Sequence, residues 1–520
     1  SPANVDLSGS AFTGYSLLDP AINLVTLTGQ SAPLPVYTLC ANDVTAANLT
    51  FDGLPVAAAS TAQFFAIEDR IVHTIDVADA GLVDFDPDGD HYVTVASKLA
   101  PASTSASIQR AVDAADAADT VYVQGGTYTG GVDVNKYISL VAPDGAAATT
   151  IDGTGTARAA TMGFVCPVNF ALPTGTGDAV LDGFTLTAAG PDLGTVGAIV
   201  NGQGNLFGLD GPQGANSSFE IVNCVVDGLP DKSAAIVCVQ ANLAAGCEGT
   251  IEGNEVLDSG IGVQILNSRH ILVADNHIHD NTDLGVFVAK TTRLQGAGGA
   301  PQVCEDIVVQ DNIIADNGGL PAELEAYGAF FGQEPDFPAT APYGRDNVFE
   351  GNTVTGNGFP GLFALSQDPA GALAVSDNVF SGNGHEAGAQ AGGILLTHHT
   401  ITNNPAVGIR IQGNAADIHI NENDIVGNGT YGVQNTTTTE VDAGYNWWGS
   451  MTGPLHSTKN PTGGGDEVTD FVDFRPWYGA ADRSVEYHWN VTAATGLQAI
   501  LDEAVDGENL LIEDGTYVEN

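Results

Sequence analysis

The first residues along the chain whose spacing suits chemistry are Asp84-Phe-Asp86-Pro-Asp88-Gly89-Asp90. Carboxylates at alternate positions of a tight turn can wrap a hard cation, which makes Asp84, Asp86, Asp88 and Asp90 the candidate calcium site. The Glu that closes a helix–loop–helix calcium loop would fall at Val95, so the match is partial and a solvated acidic turn is the plainer alternative. Asp275, His277 and His279 alternate, which predicts one strand face able to hold a metal or simply to meet water. Lys290 and Arg410 are the basic groups suited to polarising or deprotonating a substrate, and Arg410, between Ile409 and Ile411, is expected to point outward. No two carboxylates have a spacing that forces them within the roughly 5–10 Å that glycoside hydrolysis needs. No catalytic or cofactor-binding residue is assigned.

These residues lie in or beside a repeating phrase, Asn-x-(Ile/Val/Phe)-x-x-Asn. Full copies begin at Asn276, Asn312, Asn352, Asn378 and Asn423, with degenerate copies at Asn254 and His399. The steps between first positions are 22, 36, 40, 26, 21 and 24 residues, a base period with two long exceptions. Most copies are followed by Gly and a short alternating strand, as in Gly285-Val-Phe-Val288 and Gly408-Ile-Arg-Ile411. Strands this short cannot bury an apolar side alone, so successive coils must stack into a solenoid. Asn at a fixed coil position can stack as an amide ladder, and Asn and Gly tolerate the left-handed backbone that tight corners need.

At these residues the chain resembles the right-handed parallel β-helix superfamily, the pectate-lyase-like fold, in its bacterial surface and extracellular repeat forms. The resemblance covers roughly residues 107–478. It implies an all-β solenoid with a short N-terminal helical cap and an added β-rich region before it. It says little about activity, because that fold hosts lyases, hydrolases, epimerases, phage spikes and inert surface proteins. Asn281-Thr-Asp283, Gly384-His385 and Arg410-Ile-Gln412 resemble pieces of the polygalacturonase pattern. The aspartate pair that works there as acid and base is missing, with Asp311-Asn312 the nearest substitute.

Three regions follow. Residues 1–98 lack the phrase and read as irregular β structure, a linker or the end of a preceding module, with apolar runs around Val25–Leu27, Leu34–Leu39 and Phe64–Ile67. Residues 99–480 are the β-helix. They start with an amphipathic cap (Ile108, Ala111, Val112, Ala115), carry insertions at about Thr291–Glu305 and Gly318–Arg345, and close with Trp447, Trp448 and Trp477. Those tryptophans are expected to cover the last coil, or alternatively to form a carbohydrate platform. Residues 481–520 read as the start of a second β-helix, since 496–520 align without a gap on 107–131 at an offset of 497 − 108 = 389. The chain, opening at Ser1 without a signal peptide, therefore reads as one module processed or excerpted from a tandem array.

Composition bounds the partners. The 63 acidic and 14 basic residues give a formal charge of −49, which excludes nucleic acid and anionic membranes and suits a saline exterior. No apolar run reaches transmembrane length. Six cysteines without zinc spacing can form disulfides, for example among Cys224, Cys238 and Cys247, or stay as buried thiols.

The expected function is an extracellular structural or adhesive protein, a module forming a stalk, surface coat or filament with copies of itself. The alternative is a polysaccharide-active enzyme (a calcium-dependent lyase, an epimerase or a glycoside hydrolase) or a carbohydrate-binding module. Outward carboxylates with Arg or Lys on adjacent coils would favour the enzyme, and a smooth polar outer face the scaffold.

Overall fold

The computed structural model describes strand fragments between Val5 and Pro55 and then residues 58–69, 73–76, 81–86, 88–99, 106–154, 166–173, 175, 177–189, 196–201, 218–229, 234–241, 247–292, 303–318, 327–333, 342–358, 361–365, 373–383, 387–390, 394–397, 399–404, 407–412, 418–493 and 496–517. Two compact units divide the chain, Ser1–Glu255 and Val256–Asn520.

In the first unit a helix, Ala106–Ala114, buries Ile108, Ala111 and Val112 completely, as its 3.6-residue spacing requires. Coils of three short strands follow, each strand pairing in parallel with its counterpart one coil on. Thr120–Val123 pairs with Ser139–Val141, Gly126–Thr129 with Thr149–Asp152, and Val132–Val134 with Val168–Phe170. His91–Val93 also pairs in parallel with Val121–Val123, so a strand of the first sheet precedes the cap helix. The run Phe64–Ile67 is not irregular β structure. It belongs to a helix, Thr61–Glu68, opened by a capping box in which Gln63 Oε1 accepts the Ser60 N–H at 2.8 Å.

The second unit repeats the three-strand coil with greater regularity. In order along one coil, Arg269–Ala274 lies in the first sheet, His277–His279 in the second and Leu284–Lys290 in the third. The central hydrophobes of the phrase form one column, Ile278, Ile314, Val354, Phe380, Ile401 and Ile425, paired in register. All of them point inward and are buried, each burial being worth about 1.5–3 kcal/mol. The parallel β-helix expected from the phrase is therefore the fold.

Two asparagine ladders hold the corners on either side of the second sheet. In the first, Asn276, Asn312 and Asn352 each donate their amide to the next coil's Oδ1, at 2.9, 3.0 and 2.9 Å, ending at Asn378. His399 takes the next place, accepting the Asn378 N–H on Nδ1 at 3.1 Å. In the second ladder Asn281, Asn317 and Asn357 do the same at 2.9, 3.0 and 2.8 Å. The residue before most ladder positions is left-handed, with φ 53° at Asp275, 55° at Asp311, 54° at Asp280, 53° at Asp316 and 66° at Gly351. The working phrase thus starts one residue earlier, as (Asp/Gly)-Asn, and part of the acidic surface is corner chemistry. Gly285 follows because an added Cβ there would lie 2.5 Å from the Gly328 carbonyl and 3.0 Å from the Asn317 amide.

Three further expectations meet the structure here. Gly318–Arg345 is not one insertion, because Ala329–Gln333 within it is a third-sheet strand with Phe331 buried inward. Glu323, Glu325, Asp336 and Phe337 lie outside the described residues. Cys166, Cys224, Cys238, Cys247 and Cys304 are buried thiols, so the disulfide alternative falls among them. The closing segment buries Trp448 and Trp477 completely or nearly so, which rules those two out as a platform.

Candidate functional site

At the start of the first-sheet strands of three adjacent coils stand Arg269, Glu305 and Arg345, paired in register. Glu305 bridges both guanidinium groups, with Oε2 at 3.0 Å from Arg269 Nε and Oε1 bonded to Arg345 Nη2. The side chains are 27%, 18% and 39% exposed, although Arg269 Nε and Glu305 Oε2 themselves are buried. The next residue in each coil, His270, Asp306 and Asp346, is left-handed, with φ 57°, 57° and 53°. This stacked bend, repeated on three coils, turns a second set of side chains out beside the first, as β-bulges do at functional rims. There His270 Nδ1 meets Asp306 Oδ2 at 2.8 Å. A carboxylate on Nδ1–H fixes the tautomer and leaves Nε2 as the basic nitrogen of the ring.

The third sheet ends where this cluster begins. Cys304 Sγ bonds to the Ala289 carbonyl at 3.4 Å, which brings the start of one first-sheet strand against the end of the preceding third-sheet strand. On the outer face of that sheet Phe287, Phe330 and Phe363 are in register on the same three coils. Their ring centroids follow at 5.3 and 5.6 Å, and Tyr327 stacks on Phe363 at 5.0 Å with the planes 9° apart. Phe363 and Tyr327 stay partly exposed. The same row continues through Gly388 to Arg410, whose Nε donates to Gln434 Oε1 at 2.9 Å, so Arg410 does face outward. One corner therefore carries an ionisable cluster on one side and an aromatic row on the other. Both kinds of group can engage a sugar polymer, the first by hydrogen bonds and proton transfer, the second by stacking on C–H faces.

The other sequence candidates fall elsewhere. Asp86 accepts the Asp88 N–H at 2.9 Å and the Tyr92 hydroxyl at 2.6 Å, Asp90 accepts the Thr120 N–H at 2.7 Å, and Asp88 is exposed. Asp84 Oδ1 is buried without a hydrogen-bond partner. Burial, then repulsion from Asp86, Asp119 and Asp116, raises the Asp84 pKa, the local condition a cation relieves. His277 and His279 leave the strand on one face with rings stacked at 3.9 Å, and His279 Nδ1 bonds Asp280 Oδ2 at 2.7 Å. Asp275 is not part of that face, being held at the left-handed corner. Lys290 is buried and donates to the Pro342 carbonyl at 3.1 Å, with its pKa lowered by desolvation. His385 lies outside the described residues.

Sequence inspection passed over Arg269, Glu305 and Arg345, although a signal was there. Each stands seven places before a ladder asparagine, 276 − 269, 312 − 305 and 352 − 345, so the phrase itself puts them in one column.

A second ionisable cluster, Glu68, His73 and Asp76, is fully enclosed in the first unit, with ligand-type atoms within 4.8 Å of one another. His73 Nδ1 accepts the Val83 N–H at 3.1 Å, so Nε2 carries the proton and donates it to Glu68 Oε1 at 2.9 Å. Both ring nitrogens are engaged in hydrogen bonds within the fold, and burial lowers the His73 pKa to about 4.

A family model described as the right-handed beta helix region matches residues 194–385 and 339–447. With the strand order, it makes the chain a right-handed parallel β-helix, and the proposed pectate-lyase-like resemblance holds at the level of the fold. No curated protein matches. Among solved structures the chain is similar to the A-module of the mannuronan C-5 epimerase AlgE6 of Azotobacter vinelandii, at 16% identity over 74% of this chain and 97% of that one, with a TM-score of 0.42. An alginate lyase from Paenibacillus sp. str. FPU-7 is similar at 13% identity, over 74% of this chain and 99% of that one, with a TM-score of 0.31. Pectate lyase Pel9A is similar at 16% identity, over 64% and 78%, with a TM-score of 0.36. Among the described residues no helix is long and apolar enough to cross a membrane.

Proposed function

We propose that this right-handed parallel β-helix acts on an extracellular acidic polysaccharide at the corner formed by Arg269, His270, Glu305, Asp306 and Arg345. The observation that carries this reading is the convergence, on three adjacent coils, of the Arg–Glu–Arg column with the His270–Asp306 pair. Outward carboxylates with arginines on neighbouring coils separate an enzyme-like outer face from a smooth scaffold. The chemistry of best fit is proton abstraction beside a uronate carboxylate. His270 Nε2 would act as base, Asp306 would hold its tautomer, and the guanidinium groups would stabilise negative charge developing on the substrate. Phe363 and Tyr327 would carry the flanking sugar rings.

The net charge of −49 opposes an acidic polymer at long range. Two features offset it: salt screens exposed charges beyond about 8–10 Å, and divalent cations can bridge carboxylates. Calcium held by Asp84, Asp86, Asp88 and Asp90 belongs to the same proposal, supported by the orphaned buried Asp84 Oδ1.

The test is incubation of the purified chain with a panel of polyuronates, with and without calcium, reading unsaturated ends by ultraviolet absorbance and epimerisation by NMR. The wild type should give product, and His270→Ala should lose roughly 100-fold or more of the rate. Binding without product would make the corner a carbohydrate-binding site. Neither binding nor product would return the chain to the structural or adhesive reading.

A further inference from the structure

Residues 489–517 rebuild the beginning of the first unit's β-helix in three dimensions. Leu510–Ile512 pairs in parallel with Trp489–Val491, setting Ile512 opposite Val491. Val123 stands opposite Val93 in the same way, and 512 − 123 is the sequence offset of 389. The Tyr517 hydroxyl donates to the Glu513 carbonyl at 2.6 Å, as Tyr128 does to Gln124 at 2.8 Å. Gln498 donates to Asp502 Oδ1 at 2.7 Å, as Gln109 does to Asp113 at 2.9 Å. A linear sequence match does not impose side-chain hydrogen bonds of this kind, so the two segments share one local structure.

Burial separates the copies. Ile108, Ala111, Val112, Val121 and Val123 are all 0% exposed. Their counterparts are Leu497, Ile500, Leu501, Leu510 and Ile512; Leu501 is 48% and Ile512 51% exposed, and the helix Leu497–Glu503 buries no residue. The first copy shows what covers such a face. Gln109 Nε2 donates to the Asp133 carbonyl at 3.2 Å, and the Asp133 N–H donates to Gln109 Oε1 at 2.7 Å. Asp133 lies in Val132–Val134, the third-sheet strand of the coil that follows the cap. An apolar face of this kind, beside a strand that among the described residues pairs only with Trp489–Val491, calls for an occupant, and the internal duplicate identifies its chemistry.

We infer that residues 489–517 are a docking cap for a coil of another β-helix module. That coil presents a strand patterned like Val132–Val134 to the Leu497–Ile500–Leu501 face and adds parallel strands beyond Leu510–Ile512. This assignment is independent of the polysaccharide reading.

The test prolongs the full chain after Tyr517 with its own residues 129–478 and follows hydrogen exchange by mass spectrometry. The amides of 497–504 and 510–512 should gain about 100-fold or more in protection, approaching those of 108–115 and 121–123. Leu501→Asp in the prolonged chain should cancel that gain while the preceding β-helix melts unchanged. Added coils that become protected while 497–504 does not would overturn the inference, as would a gain that survives Leu501→Asp.

Discussion

Arg269 and Glu305 stand opposite each other on neighbouring coils, with Nε and Oε2 3.0 Å apart on the outer face. Glu305 also binds Arg345, so one carboxylate keeps two guanidinium groups of adjacent coils in place. Glu305→Gln should leave the β-helix folded, because a partly exposed ion pair contributes only about 0–1 kcal/mol. The same change should weaken polysaccharide binding or turnover about 10-fold or more by releasing both arginines from their shared position. Thermal melts and activity measured on one preparation separate the two effects. A loss of stability that matches the loss of function would assign Glu305 a structural role instead.

Asn352 tests the ladder. Its Oδ1 accepts both the backbone and the side-chain amide of Asn312, each at 3.0 Å, and its own Nδ2 donates to Asn378 and to the Val309 carbonyl, each at 2.9 Å. Asn352→Ala strands buried donors and acceptors on both neighbouring coils, so the second unit should lose about 2–4 kcal/mol. Asn352→Asp keeps the acceptor but sets a buried carboxylate oxygen against the Val309 carbonyl and Asn378 Oδ1, and should cost at least as much. A denaturant midpoint unchanged by Asn352→Ala would show that the ladder does not hold the coils together.

The acidic turn sets a pH dependence. Burial, followed by repulsion from Asp86, Asp119 and Asp116, raises Asp84 above its ordinary value of 3.8 in the folded chain. The folded state therefore binds the proton more tightly than the unfolded state does. The stability this contributes is complete below the ordinary value and is lost as pH rises through the folded one. Without calcium, the melting-temperature gap between the wild type and Asp84→Asn should therefore narrow as pH falls from neutrality toward the ordinary carboxylate range. Asp84→Asn should raise the neutral-pH melting temperature, and calcium should raise that of the wild type but not of the variant. Calcium that leaves the wild type unmoved would reduce the segment to a solvated turn.

Much of the fold was legible because a solenoid writes its structure once per coil. Ile278, Ile314 and Ile425 point inward as their place in the phrase requires, and His399 fills an asparagine position in the ladder. The left-handed residue before each asparagine escaped notice because Asp, Gly, Glu and Asn all serve there, so no single letter marks the position. The site was less legible for a related reason. Arg269, Glu305 and Arg345 differ in type and lie outside the phrase, seven places before its first asparagine, so their common column shows only when the phrase is used to set the register. Phe330 was hidden inside an apparent insertion because its strand, Ala329–Gln333, lacks the phrase. The tryptophans misled in the opposite sense. Trp448 and Trp477 offer large aromatic faces in sequence, but the last coil consumes both.

The most direct measurement of the central claim is a hydrogen-exchange footprint of the full chain bound to polyuronate oligosaccharides in the presence of calcium. Protection should concentrate at 269–270, 305–306 and 345–346, with a second band around Tyr327 and Phe363, and should disappear in the Arg269→Ala, Arg345→Ala double variant. A footprint on another face, or tight binding that the double variant retains, would contradict the assignment of this corner as the polysaccharide site.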